Sequence, residues 1–307
     1  MTGNGYLFPV KLLVIAGPTA SGKTAAAVDL AHHVRAELVG ADSMQVYRGM
    51  DIGTATPTPF ELQGIVHHLI NMVNPDETYD AARFCADADA AIADIHRRGL
   101  RVVVVGGTGM YLRMLLRGMQ GAPPPDPDIR AELERRARQE GWPALHGELA
   151  AVDAPTARRL HPNDGVRIVR ALEVWRQTGR PISSWQAAHG FATPRYEFRM
   201  VGLAVDKDEL ARRIERRVAQ MMADGFVDEV EGLLAAGYAG NLRPLQGLGY
   251  RRIVAFLEGR CTKEEAVQQI VADTRRFARR QRNWFRSEPV HWLETVEQVR
   301  EAARGFF

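Results

Sequence analysis

Residues 17–24 read GPTASGKT, which fits the phosphate-loop pattern G-x-x-x-x-G-K-[ST] at Gly17, Gly22, Lys23 and Thr24. The flanks constrain the fold further. KLLVIAG (residues 11–17) is a short apolar run ending on glycine, the mark of a buried parallel strand. TAAAVDLAHHV follows with helical spacing. A strand, a glycine-rich turn and a helix in this order form an anion site. The glycines let backbone N–H groups turn inward, and the helix adds its positive end. The candidate phosphate site is therefore Gly17, Pro18, Thr19, Ala20, Ser21, Gly22, Lys23 and Thr24, with N–H groups of residues 19–24 as donors. Lys23 supplies a point charge, and the Thr24 hydroxyl can be offered to Mg²⁺.

The rest of the chain extends this unit. Residues 36–43 (AELVGADS) predict a second strand, residues 78–100 a long Ala-rich helix, and residues 101–107 (RVVVVGG) a third, β-branched strand. Four prolines in GAPPPDPD (residues 121–128) end this alternation, because they continue neither a helix nor a central strand. Helical patterns follow until YEFRMVGLAV, where residues 198–205 predict a strand that returns the chain to the sheet; helices make up the remainder. The expected fold class is α/β: a P-loop parallel-sheet core of residues 9–122 plus 196–307, with an inserted all-helical domain of residues 123–195.

Composition narrows the partners. The net charge is only +3 but the pI is about 9.0, so partners must be argued from local basic clusters. Cys85 and Cys261 give neither a disulfide framework nor a metal spacing, which suits a reducing cytoplasm. No apolar run approaches the roughly 20 residues of a membrane span. The first ten residues lack a basic segment followed by a long apolar one, so no leader peptide and no membrane association are expected. The histidine pairs His32–His33 and His67–His68 have no accompanying cysteine or carboxylate spacing and predict no metal site.

A phosphate-handling enzyme of the kinase type needs a strand-end aspartate near Mg²⁺. The VVVV strand runs instead into GGTGMY (residues 106–111), and the only strand-end carboxylate is Asp42 in GADSMQVY. On spacing alone Asp42 is a helix cap, a metal-holding acid or a general base. Thr108 is either an anion- or base-binding hydroxyl or part of a tight turn. Arg213 and Arg217 lie one helical turn apart and can face one site. In TRRFARRQRNWFR, Arg275, Arg279, Arg282 and Arg286 form one helical stripe, and Phe277, Trp284 and Phe285 another. A basic stripe on a chain with a phosphate site points toward RNA phosphates. Arg167 and Arg170 make a second basic cluster, with Ile168, Leu172 and Trp175 as its burying face.

GPTASGKT, ADSMQVYRGMDIGTA, HHLINMVNPDETYDAARF, VVVVGGTGMYL and RRFARRQRNWFR occur in the order seen in the tRNA dimethylallyltransferase family, which the chain resembles from about residue 11 to 286. The resemblance implies that the loop holds the diphosphate of dimethylallyl diphosphate, with Mg²⁺ as cofactor on Thr24. The allylic carbon moves to N6 of the adenosine 3′-adjacent to the anticodon. Asp42 becomes the base, Thr108 and Lys23 assist, and Arg217 completes the diphosphate cradle. Asp42, Ser43, Met44, Gln45 and Thr108 would read a flipped base. Arg130, Val166, Arg167, Ile168, Val169 and Arg170 would meet the anticodon stem-loop, and Arg275, Arg279 and Arg282 the RNA backbone. A cytoplasmic monomer without an obligate protein partner is expected. The alternative is a P-loop nucleotide or small-molecule kinase that binds ATP, in which Asp42 deprotonates a hydroxyl.

Overall fold

The structure, a computed structural model, describes residues 10–118, 121–189 and 194–307. The leader expectation concerns residues outside this set except at residue 10, and residues 190–193 of the expected insertion also lie outside it. Two compact units partition the chain, Met1–Leu116 with Arg195–Phe307, and Arg117–Pro194.

The first unit carries a sheet built from β1 (Lys11–Ala16), β2 (Ala36–Gly40), β3 (His67–His68), β4 (Arg101–Gly106), β5 (Glu197–Leu203) and β6 (Val290–Leu293). All pairings are parallel, in the order β3-β2-β4-β1-β5-β6. Side-chain alternation divides the core between the two faces. Leu13, Ile15, Leu38 and Val103 pack with α1 (Lys23–Val34) on one face. Leu12, Val14, Val39 and Val104 pack on the other with α3 (Ala81–Arg97), reached after the short α2 (Pro59–Leu62), and with α4 (Gly109–Arg117).

The expected strands and helices run shorter than read. β2 stops at Gly40 instead of residue 43 because the Asp42 carboxylate accepts from Met44 N–H at 2.9 Å and turns the chain. α3 begins at Ala81, not residue 78, because Asp80 caps it by accepting from Ala82 and Arg83 N–H. β5 occupies Glu197–Leu203 rather than residues 198–205. The four-residue β6 was not expected; only Leu293 within it is buried, so it lacks a strand's usual apolar signature.

The second unit consists of α5 (Pro127–Glu140), α6 (Trp142–Val152), α7 (Ala154–Ala157), α8 (Gly165–Thr178) and α9 (Ile182–His189). Its core is Leu133, Leu145, Leu149, Ile168, Val169 and Leu172. The remaining helices belong to the first unit: α10 (Lys207–Ala223), α11 (Phe226–Ala235), α12 (Tyr250–Leu257), α13 (Lys263–Phe285) and α14 (Val296–Arg304).

Candidate functional site

In an open parallel sheet, the loops leaving the C-terminal ends of adjacent strands converge. Here β1 lies beside β4 with Ala16 opposite Gly106, and β4 lies beside β2 with Gly40 opposite Val105. The phosphate loop, the Thr108 turn and Asp42 therefore leave the same sheet edge from three neighbouring strands. Gly106 permits this closeness, since a Cβ there would sit 2.1 Å from Ala41 O.

The phosphate loop takes the shape its residues allow. Gly17 and Gly22 have φ of 151° and 91°. Ala20 also adopts positive φ, 64°, an unfavoured conformation for a residue with a Cβ. Lys23 opens α1, and its Nζ donates to Pro18 O at 3.3 Å. Burial lowers the Lys23 ammonium to about 8; Arg217 pushes the same way, and Asp42 opposes both. Arg217 on α10 donates from Nη1 to Thr19 Oγ1 at 3.3 Å, and burial lowers its pKa too. Arg213, one turn earlier, pairs with Glu209 and reaches Ser21 O at 3.5 Å.

Thr19, Gly22, Lys23, Thr24, Asp42, Gln45 and Arg217 line one cavity of about 990 Å³. Lys23 and Arg217 face this cavity beside the phosphate loop; Asp42 lies across from them, and Asp29, Asp51, Glu61 and Asp224 complete the charged lining, so the cationic, anion-accepting part is the loop end. Some expected donors are committed elsewhere. The Thr19 N–H points to Gln281 Oε1 at 2.8 Å, so it does not face the cradle as the sequence reading expected. Gln45 Nε2 donates to Thr54 O and Ala55 O at 3.2 and 2.9 Å, so its amide nitrogen is committed to the backbone. Thr108 Oγ1 accepts from Ser43 N–H at 3.0 Å, joining the β4 turn to the segment that follows Asp42.

The 51–53 segment forms a wall that sequence reasoning missed. Glu229 on α11 accepts from the N–H groups of Asp51, Ile52 and Gly53 at 2.8, 2.6 and 3.1 Å, and from Tyr250 OH at 2.7 Å. Gln281 was missed as well. It sits on the buried seam Thr274, Ala278, Gln281, Phe285 of α13, and a lone amide in that apolar spacing was the available signal.

Thr24 lines the cavity, as do the carboxylate-bearing residues Asp42, Asp51 and Glu61. Among the described residues no group of three or more His, Cys, Asp and Glu side chains could hold a metal. This donor set fits Mg²⁺, which usually keeps its waters and substrate phosphates and takes few protein oxygens.

The outlying basic residues separate into paired and unpaired ones. On α13, Arg275 pairs with Glu215 at 2.5 Å. Arg279 and Arg282 have no carboxylate partner among the described residues. In the helical unit Val166 is 84% exposed and Arg167 pairs with Asp164 at 2.5 Å. Ile168 and Val169, expected as RNA contacts, have buried side chains in that unit's core, so their side chains cannot reach a ligand at the surface. Arg130 and Arg170 both donate to buried Glu173, at 3.0 and 2.8 Å, and that carboxylate also caps Asp126 N–H at 2.7 Å. They hold the start of α5 against α8.

Comparison with known proteins agrees over nearly the whole length. The family model described as IPP transferase matches residues 45–288. The tRNA dimethylallyltransferase 2 of Geotalea uraniireducens is 53% identical over 289 residues, covering 94% of this chain and 93% of that protein. The tRNA dimethylallyltransferase of Geobacter metallireducens is 49% identical over 301 residues, 97% of each. Among solved structures, the full-length tRNA isopentenylpyrophosphate transferase of Bacillus halodurans aligns with a TM-score of 0.72 at 37% identity, over 96% of each chain. A eukaryotic dimethylallyltransferase acting on tRNA aligns with a TM-score of 0.81 at 26% identity, over 96% of this chain and 77% of that one. Likeness of this degree and extent, on a chain whose phosphate loop and strand-end aspartate share one cavity, means that it belongs to the IPP transferase family of tRNA dimethylallyltransferases.

Proposed function

We propose that the chain transfers the dimethylallyl group of dimethylallyl diphosphate to N6 of the adenosine 3′-adjacent to the anticodon of tRNA, releasing diphosphate. The observation that carries this reading is the shared cavity: Asp42 lies with Lys23 and Arg217 around one space, close enough for their charges to act on one another. The names of the relatives agree with it.

Lys23, Arg217 and the N–H groups of Ala20, Gly22, Lys23 and Thr24 hold the diphosphate; the Ser21 N–H is taken by Pro18 O at 3.3 Å. The N6 lone pair attacks the allylic carbon, the carbon–oxygen bond breaks, and its electron pair leaves with the diphosphate. The proton from N6 passes to Asp42. One Asp42 oxygen accepts from Met44 N–H, which orients the other for this proton. The Thr24 hydroxyl would hold Mg²⁺, which would supply positive charge for the departing diphosphate. The Gln45 oxygen and the Ser43–Thr108 pair border the adenine, which leaves its stack to reach the acid. Arg279 and Arg282 on α13 grip the RNA backbone, and the second unit, with Val166 and Arg167 at its surface, meets the anticodon stem-loop. The protein acts as a cytoplasmic monomer; no helix among the described residues is long and apolar enough to cross a membrane.

The test is mass spectrometry of tRNA nucleosides after incubation with the protein, dimethylallyl diphosphate and Mg²⁺. Adenosine heavier by one dimethylallyl group is expected. Phosphate transfer from ATP to an acceptor, with no prenylated adenosine, would select the kinase alternative.

A further inference from the structure

Gln281 is 7% exposed on the inner face of an otherwise basic stretch of α13. Both ends of its amide are engaged. Oε1 accepts from Thr19 N–H at 2.8 Å, and Nε2 donates to Gly107 O at 2.9 Å. The fit is close: a Cβ on Gly107 would lie 2.4 Å from Gln281 Nε2 and 3.1 Å from Gly17 O. One planar side chain therefore joins the phosphate loop, the turn after β4 and α13 at a single point.

Each backbone group it holds leads to a side chain of the reaction centre. Thr19 carries the hydroxyl that accepts from Arg217. Gly107 precedes Thr108, whose hydroxyl accepts from Ser43 N–H at 3.0 Å and whose own N–H donates to Ala41 O at 3.2 Å, on either side of Asp42. The residues flanking the buried amide in sequence, Arg280 and Arg282, belong to the basic run that faces outward. The helix that bears the cations is thus the helix that sets the spacing inside.

We propose that Gln281 is a positioning residue that keeps the diphosphate cradle in register with the Thr108–Asp42 side of the centre; this rests on the prenyl-transfer reading. Transfer requires the allylic carbon, held through its diphosphate by one loop, to meet an amine held near Asp42 by another. A small displacement between the two loops keeps both sets of contacts and spoils the alignment. Gln281 touches neither reactant and acts through the two loops.

The experiment compares Gln281→Leu, which removes both hydrogen bonds, with Gln281→Glu, which keeps an acceptor for Thr19 N–H but has no N–H for Gly107 O. Steady-state rates are measured well below each melting midpoint and corrected for the folded fraction. Both variants are expected to lose about tenfold or more in kcat while KM for tRNA and for dimethylallyl diphosphate stays within about threefold. In a Thr108→Ala background, Gln281→Leu is expected to cost less than about threefold further, because the two act along one route. Should Gln281→Leu not fold, Gln281→Glu carries the same comparison. An unchanged kcat per folded molecule, a loss confined to KM, or full additivity with Thr108→Ala overturns the inference. Wild-type turnover in the same assay separates it from the reading beneath: no prenylated adenosine from wild type overturns both, whereas turnover with equal kcat in the Gln281 variants overturns the positioning role alone.

Discussion

Arg217 donates to the Thr19 hydroxyl at 3.3 Å, across 198 positions of sequence, and so fastens α10 to the loop that carries Lys23. The guanidinium and the ammonium are held near each other against their mutual repulsion. A bound polyanion relieves that repulsion, and Asp42 relieves part of it in the free protein.

The lowered Lys23 pKa makes anion binding pH-dependent. In the proposed reaction the protonated ammonium is the form that holds diphosphate, and in the free protein it loses its proton as pH rises through about 8. Affinity for dimethylallyl diphosphate, followed by calorimetry from neutral to alkaline pH, should fall above that value. Lys23→Met should bind more weakly throughout and lose that alkaline fall; retention of the same fall in the variant would assign the titration to another group.

Replacing Asp42 by Asn removes the proposed proton acceptor with little change in shape. Single-turnover transfer should slow by about 10²- to 10⁴-fold, while the dissociation constants of tRNA and dimethylallyl diphosphate change little. A variant that still turns over near the wild-type rate would exclude Asp42 as base.

The pairing pattern on α13 ranks its arginines. Arg279→Ala and Arg282→Ala should each weaken tRNA binding and lower the slope of log affinity against log salt by about 0.7 if the contacted RNA is single-stranded. Arg275→Ala should do less, because Glu215 already pairs with that side chain at 2.5 Å. Equal slopes for all three variants and wild type would take α13 out of the interface.

Glu173 in the helical unit tests the structural role of its two arginines. Its carboxylate is fully buried and accepts from Arg130, Arg170 and Asp126 N–H. Glu173→Gln leaves two guanidinium groups with a weaker acceptor and should cost about 3 kcal/mol, the low end for a broken buried pair because both arginines keep contact with water. Denaturant unfolding measures this directly, and a loss below about 1 kcal/mol would show the network to be marginal.

Acid sensitivity should centre on Glu37. A hydrogen bond from Arg98, the largest cause, and one from His68 lower its carboxylate from 4.5 to about 2 against the opposing effect of burial. A depressed carboxylate stabilises the fold above its unfolded pKa, and that contribution is lost as pH falls. Stability should therefore decline between about 4.5 and about 2, and Glu37→Gln should flatten the decline in acid denaturation curves.

GPTASGKT could be read from sequence because its demands are local: positive φ at Gly17 and Gly22, and a strand and a helix on either side. The apolar runs of β1 and β4 were legible for the same reason, since burial on both faces leaves an unbroken apolar stretch. β6 was not, because it is short and mostly exposed. Helical periodicity already set Ile168 and Leu172 on one burying face, yet only the packed unit decided that Val169 joins them and that Arg130 and Arg170 share Glu173. The same holds at the cavity. Chemistry placed Lys23 and Asp42 on the list of candidates, but the strand order β2-β4-β1 brings their loops to one edge. The bond between Thr19 and Gln281 spans 262 positions, so it depends on how α13 packs beneath those loops. Neighbouring residues encode backbone shape and periodicity; partners far apart in the chain exist only once sheet order and helix packing have brought them within hydrogen-bonding distance.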